Sequence, residues 1–362
     1  MASLAKSYSH EKYALSIIDI IYSLSLVLFF LGSGFSLALE NFIISLGVPS
    51  YFLIAVFSAV IFFLYYLLNL PFNFYSGFIL EHKFNLTKQK IWTWAGDEIK
   101  SAVLSYIISL ILILTFYWVL GSFSQWWLVI SIFWIIFSIV LAKLTPILII
   151  PLFFKYKKLE DQILRQRILD LAGKMRVKIF DVFEINFSKK TLKANAAFTG
   201  MGKTKRVLLA DTLRDKYTHD EVEVILAHEF AHYKLKHIIK LIAINSLVTL
   251  GLFYLIFRTN GYFLSIFKLN SLSQLAALPL VFLYFILFGI ITQPLGAFVS
   301  RIFEREADSL ALKVTGSKEA FISLMEKLAS QNLADRSPHP LIKFFFFDHP
   351  PIDERIKIAK SH

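Results

Sequence analysis

Two histidines four residues apart, with a glutamate beside the first, stand at His228-Glu229-Phe230-Ala231-His232. On a helix, side chains at that spacing share one face, so both imidazoles can point at a single metal ion. Glu229 is then placed to take a proton from a water held at that ion. This is the chemistry of zinc-assisted peptide-bond hydrolysis. The bland alternative is a pair of histidines on a solvated helix face. The helix itself is legible. Thr218 and Glu221 have capping-box spacing, and neither proline nor glycine interrupts the run to His237.

Two histidines leave such a site incomplete, because a hydrolytic zinc usually has three protein ligands and a water. The best source of a third is Arg301-Ile302-Phe303-Glu304-Arg305-Glu306-Ala307-Asp308. Glu304 and Asp308 share a helix face. One of them can bind metal while the other holds a ligand histidine through its second ring nitrogen. Both could equally be solvated carboxylates beside a membrane. Glu306 points to another side and reads as a surface ion-pair partner. Near the C-terminus, His349-Pro350-Pro351 and Arg355 offer an imidazole and a cation that can stabilise an oxyanion, or simply a helix-start turn. Asn195 with Ala196, Ala197 and Thr199 reads as an exposed edge strand able to pair with an extended peptide, or as an ordinary hairpin strand.

The elements that must position these residues are mostly membrane helices. Of 362 residues, 56% are hydrophobic and only 18% charged, with 37 phenylalanines. Mean hydropathy is +0.61. This composition defines an integral membrane protein. The absence of cysteine excludes disulfides, a thiolate metal site and a cysteine nucleophile. The net charge of +12 fits basic loops beside an anionic leaflet, and no nucleic-acid-binding pattern accompanies it. Six apolar segments are long enough to span a bilayer, at about 13–39, within 41–80, and at about 101–120, 124–154, 238–257 and 275–300. The first is too long for the apolar core of a cleavable signal peptide. Lys and Arg concentrate in alternate loops, which places both termini and the 155–237 loop on the cytoplasmic side. That loop predicts a charged helix over 159–174 and strand-like runs at 177–186 and 205–209. Turns are expected at Ser188-Lys189-Lys190 and Gly200-Met201-Gly202. A helix over 301–331, a polar loop and a short C-terminal helix complete the soluble part. Phe344 to Phe347 reads as a membrane-facing or core segment.

In order, these motifs resemble those of membrane-embedded zinc endopeptidases of the CAAX prenyl protease type, which are gluzincins. The resemblance covers nearly the whole chain. It rests on Leu70-Pro71-Phe72-Asn73-Phe74-Tyr75 with Glu81-His82-Lys83-Phe84-Asn85 and Lys88-Gln89, and on Asn195 to Gly200. It continues through Lys205 to Leu213, His228 to His237, Phe303 to Asp308 and His349 to Arg355. The resemblance implies a mainly α fold: a multi-pass transmembrane helical chamber with a small α+β gluzincin-like zinc protease domain on the cytoplasmic side. Residues 1–154 would be a four-span membrane domain and 155–362 the peptidase domain, including the spans at 238–257 and 275–300.

It further implies one Zn2+ per chain held by His228, His232 and Glu304, with Glu229 as general base. Asp308 would support a ligand, and His349 and Arg355 would lie near the scissile carbonyl. Asn195, Ala196, Ala197 and Thr199 would clamp substrate. His237 matches a recurring histidine to which no ligand role is given. The partners implied are a peptide or protein, with or without a lipid group, and the bilayer; the compartment expected is a prokaryotic cytoplasmic membrane. Eukaryotic members have a further N-terminal helix, so six spans would build the chamber, with a lateral gap. The family's glycine before the second zinc histidine is Ala231 here, small enough for close packing. The rival readings are a heat-shock-type membrane quality-control protease and a non-enzymatic membrane scaffold with a vestigial metal site.

Overall fold

The computed structural model describes residues 2–200, 205–214 and 216–361. Met201 and Gly202 of the expected turn lie outside the described residues. Helix α1 runs Ala2–Gly32, α2 Phe35–Ser45 and α3 Ser50–Phe74. A π-helical turn, Tyr75–Ile79, leads to α4, Leu80–Lys83. It follows Pro71, which removes a backbone donor, and such local adjustments re-pair the freed groups. Helices α5 (Ile91–Ser122) and α6 (Trp126–Leu144) form the next pair, and a second π turn containing Pro146 joins α6 to α7 (Ile150–Phe153).

Among the described residues, six helices are long and apolar enough to cross a membrane, as expected. The first differs from the predicted 13–39. It starts at the amino end and stops at Gly32, because Gly34 adopts a left-handed φ of 74°. The remainder of that apolar run is the short helix α2, whose buried Glu40 accepts the backbone N–H groups of Leu275 (3.1 Å) and Ala276 (3.2 Å).

The soluble part begins with β1 (Tyr156–Lys158), α8 (Gln162–Lys174) and β2 (Asp181–Ile185). It continues with β3 (Ala196–Thr199), β4 (Arg206–Ala210) and α9 (Asp211–Arg214). The four strands are ordered β1-β2-β4-β3, with β2 and β4 parallel and the outer pairs antiparallel. The strand β1 has too few residues to show a pattern in the sequence. Next come α10 (His219–Lys234), α11 (His237–Ile266), α12 (Leu278–Thr315), α13 (Lys318–Gln331), α14 (Pro340–Phe346) and α15 (Ile352–Ser361). The single helix expected over 301–331 is two, because Gly316 caps α12 with a left-handed φ of 64°. Phe344 to Phe346 lie on α14, where Phe344 is exposed, and Phe347 is its C-cap.

Around the membrane ring, α1 packs on α12, α12 on α11, α11 on α6, α6 on α5 and α5 on α3. Between α3 and α1, side chains bridge the gap: Tyr22 donates to the Leu68 carbonyl (3.1 Å) and Ser23 bonds Tyr65 (3.0 Å). The ring encloses an apolar cavity of about 300 Å³ lined by Val27, Phe62, Tyr65, Tyr106 and Phe285. Two large apolar cores result. One joins the sheet, α8, α10, α13 and α15, and the other fills the end of the ring away from the sheet.

Candidate metal centre

Helix α10 begins as the sequence requires. Thr218 accepts from the Glu221 N–H (3.3 Å), and the Glu221 carboxylate accepts from the Thr218 N–H (2.8 Å). Glu221 also binds Lys327 (2.7 Å) and Ser323 (2.6 Å), so the same residue fixes α10 against α13. Helix α12 crosses α10 where Ala227, Ala231, Ala307 and Ala311 are all fully buried. Small side chains let the two backbones approach, and Ala231 is accommodated within this contact.

That crossing brings Glu304 to the two histidines. Glu304 Oε2 lies 3.2 Å from His228 Nε2, and Oε1 lies 3.2 Å from His232 Nε2. The two imidazole Nε2 atoms are 3.1 Å apart. Ligands bonded at about 2.0–2.1 Å in a tetrahedron stand roughly 3.3 Å apart, so this triangle has the dimensions of one face of a zinc site. The three residues form a group able to hold a metal ion. Glu304 Oε2 is buried with no hydrogen-bond partner among the described residues. A buried carboxylate oxygen in that state is costly unless a cation meets it. The donor set therefore fits a divalent metal.

The outer ring nitrogens are occupied. His228 Nδ1 bonds Asp308 Oδ1 at 2.8 Å. Asp308 is fully buried and takes a fork from Arg355, Nε to Oδ2 at 2.8 Å and Nη2 to Oδ1 at 2.6 Å. Burial favours neutral His228, but the adjoining carboxylates of Asp308 and Glu304 override this and push its pKa up to about 9. The field that draws a proton there equally draws a metal cation. His232 Nδ1 meets His237 Nδ1 at 3.0 Å, and His237 Nε2 meets Glu306 at 2.9 Å. His237 also stacks on Phe303, with centroids 4.4 Å apart. Glu306 is thus more than a surface ion-pair partner, although Lys240 lies 3.8 Å from it. Spacing alone does not predict the link through His237. Its one signal in the sequence is the recurring histidine just beyond the motif helix, which opens α11.

Glu229, His228, His349, Arg355, Asn195 and Ala196 line one cavity of about 220 Å³. His349 Nε2 stands 3.4 Å from Glu304 and its Nδ1 2.8 Å from Asp348. Desolvation works against its charge, yet Asp348 and Glu304 raise its pKa above the ordinary imidazole value. Arg355 reaches the cavity wall with its guanidinium anchored on Asp308. Asn195 is exposed, and Ala196, Ala197 and Thr199 lie in β3, an edge strand of the sheet.

Fold and site together define a multi-pass membrane metallopeptidase. The description "Peptidase family M48" matches residues 158–362, and "CAAX prenyl protease N-terminal, five membrane helices" matches residues 2–155. The chain is 33% identical to the Bacillus subtilis protein described as "Uncharacterized metalloprotease YhfN", over 99% of this chain and 85% of that one. It is 30% identical to CAAX prenyl protease 1 of Saccharomyces cerevisiae, over 80% of this chain and 68% of the yeast protein. The crystal structure of S. mikatae Ste24p superposes with a TM-score of 0.88 at 28% identity, covering 98% of this chain and 88% of that one. The chain belongs to peptidase family M48, as a membrane metalloprotease of the CAAX prenyl protease type.

Proposed function

We propose that this protein is a zinc endopeptidase that cuts an extended peptide laid along β3, at the cytoplasmic face of a prokaryotic membrane. His228, His232 and Glu304 hold the metal. The observation that carries this is the triangle of ligand atoms 3.1–3.2 Å apart, with a buried Glu304 oxygen that no protein donor satisfies. Two histidines and one glutamate are a hydrolytic zinc set. Bound there, zinc polarises the scissile carbonyl and lowers the pKa of water to about 7.

The chain's own residues do the rest. Glu229 takes the proton of the attacking water and returns it to the leaving amine. His349, with its raised pKa, supplies positive charge beside the developing oxyanion. Asp308, held by Arg355, fixes the ring of His228, and His237 fixes that of His232. The outward backbone groups of β3 pair with the peptide. The proposed division into residues 1–154 and 155–362 is supported by two family matches that meet between residues 155 and 158.

A lipid-bearing substrate is supported by a second feature. The far end of β3, at Phe198 and Thr199, opens on a groove of about 350 Å³ lined by Ile135, Ile139, Ile238 and Ile242 of α6 and α11. An apolar group on the substrate would lie there within the membrane helices. The test compares zinc content and cleavage of peptides with and without an isoprenyl group, for wild type and Glu229→Gln. The variant should keep about one zinc per chain and lose at least about a thousandfold in kcat, as removal of a proton-transfer group and its charge requires. Normal cleavage by the variant would refute the base assignment. Equal kcat/KM for both peptides would refute the lipid reading alone.

A further inference from the structure

The edge strand is closed at one end by a side chain. The Asn195 carbonyl accepts the Ala210 N–H at 3.1 Å, and Ala196 pairs with Leu209, Ala197 with Leu208. In an antiparallel ladder both backbone groups of a residue face the same way, and successive residues alternate. Asn195, Ala197 and Thr199 therefore turn their N–H and C=O toward β4. Ala194, Ala196 and Phe198 turn theirs to the free edge. Among the described residues, the outward groups of Ala196 and Phe198 have no hydrogen-bond partner, whereas both groups of Ala194 are taken. The Ala194 N–H donates to Asn332 Oδ1 at 2.9 Å, and Asn332 Nδ2 donates to the Ala194 carbonyl at 3.3 Å. Asn332 stands where a paired strand would stand.

Its neighbour reinforces the arrangement. Gln331 Nε2 donates to the Leu192 carbonyl at 2.6 Å, and Tyr217 holds Gln331 Oε1 at 3.0 Å. Asn332 lines the same cavity as Glu229, whose wall at this end is Phe321, Leu324, Met325 and Leu328 of α13. At about 220 Å³ this cavity is smaller than the roughly 300–1,000 Å³ of ordinary ligand pockets.

We propose that Asn332 is a specificity-determining residue that ends substrate pairing at Ala194 and so limits the length of the segment released on the C-terminal side of the cut. This rests on the reading that substrate lies antiparallel to β3 with its scissile bond beside Glu229. In that direction the chain leaving toward Ala194 is the C-terminal, amine-side fragment. A short leaving segment ends within the cavity. A long one must displace Asn332 or turn away from the edge.

The zinc-loaded, full-length protein is given peptides identical up to the cut, with leaving segments of about three or about eight residues, and a second series extended only on the N-terminal side. Wild type should favour the short leaving segment by about tenfold in kcat/KM, the worth of one or two net hydrogen bonds, and be indifferent to N-terminal extension. Asn332→Ala should bring the ratio of the two within about threefold. Asn332→Asp keeps an acceptor for the Ala194 N–H and loses the donor, and should fall between. General damage to the fold lowers both rates and leaves their ratio unchanged, so the ratio separates specificity from stability. An unchanged ratio in both variants, or a length limit on the N-terminal side instead, overturns the proposal. If zinc-loaded wild type cuts no peptide of either length, the endopeptidase reading falls with it.

Discussion

The two histidines of α10 are held by partners of opposite kind, and this sets what each substitution should cost. His228 leans on Asp308, which has no solvent exposure and depends on Arg355 for its counter-charge. Arg355→Ala leaves that buried carboxylate without its cation and bonded only to His228, a loss of about 3–5 kcal/mol. Thermal unfolding of the metal-loaded protein should show it as a fall in Tm, and an unshifted Tm would mean that Asp308 is satisfied by something else. His232 leans on His237, whose own partner Glu306 is exposed. His237→Ala should therefore weaken zinc about ten- to a hundredfold against a competing chelator while largely sparing the fold. The shared face of His228 and His232 was legible because helical periodicity fixes it. Which of Glu304 and Asp308 would face the inner nitrogens was open from their spacing, since that depends on the direction from which α12 crosses. The His237 link was hidden for a related reason: it needs the chain to turn back at Lys236.

That turn is the clearest case of an element junction controlling chemistry. Lys236 has φ of 58°, a left-handed value, and it separates the motif helix α10 from the membrane span α11. The turn redirects the chain between α10 and α11, and it places His237 Nδ1 3.0 Å from His232 Nδ1. Proline cannot adopt this φ. Lys236→Pro should lose zinc, read as metal content after gel filtration. Lys236→Gly should keep it and gain up to about 1 kcal/mol by relieving the backbone. If the proline variant retained full zinc, the junction would have no part in the site. The sequence offered no sign of this turn, because lysine rarely marks one. The break at Gly34 was hidden differently. A glycine inside a long apolar run is compatible with an unbroken span, and only the docking of Glu40 onto Leu275 and Ala276 shows why the chain bends there. The six spans were plain because length and hydropathy alone define them.

At the scale of the molecule, the metal would sit beside one of two separate apolar cores. The core built from α8, α10, α13, α15 and the sheet shares no residues with the core at the far end of the ring, which includes Phe57, Ile130, Phe253 and Leu280. Helix α12 contributes to both, and its end that carries Glu304 joins α10 through the ligand triangle, the His228–Asp308 bond and the small-residue crossing. Removing the metal should then act on one core. A ligand present at about a thousand times its Kd contributes about 4 kcal/mol to the state that binds it. Chelation should withdraw that contribution from the α10–α12 contact, and hydrogen exchange followed by mass spectrometry should speed up in α10, α13 and α15. Exchange in α2 and in the half of α11 around Phe253 and Ile256 should stay the same, because their packing and the Glu40 contacts involve no ligand residue. A uniform rise across all six spans would show that the metal stabilises the bundle as a whole. No change at α10 would show that the three side chains are held in place without it.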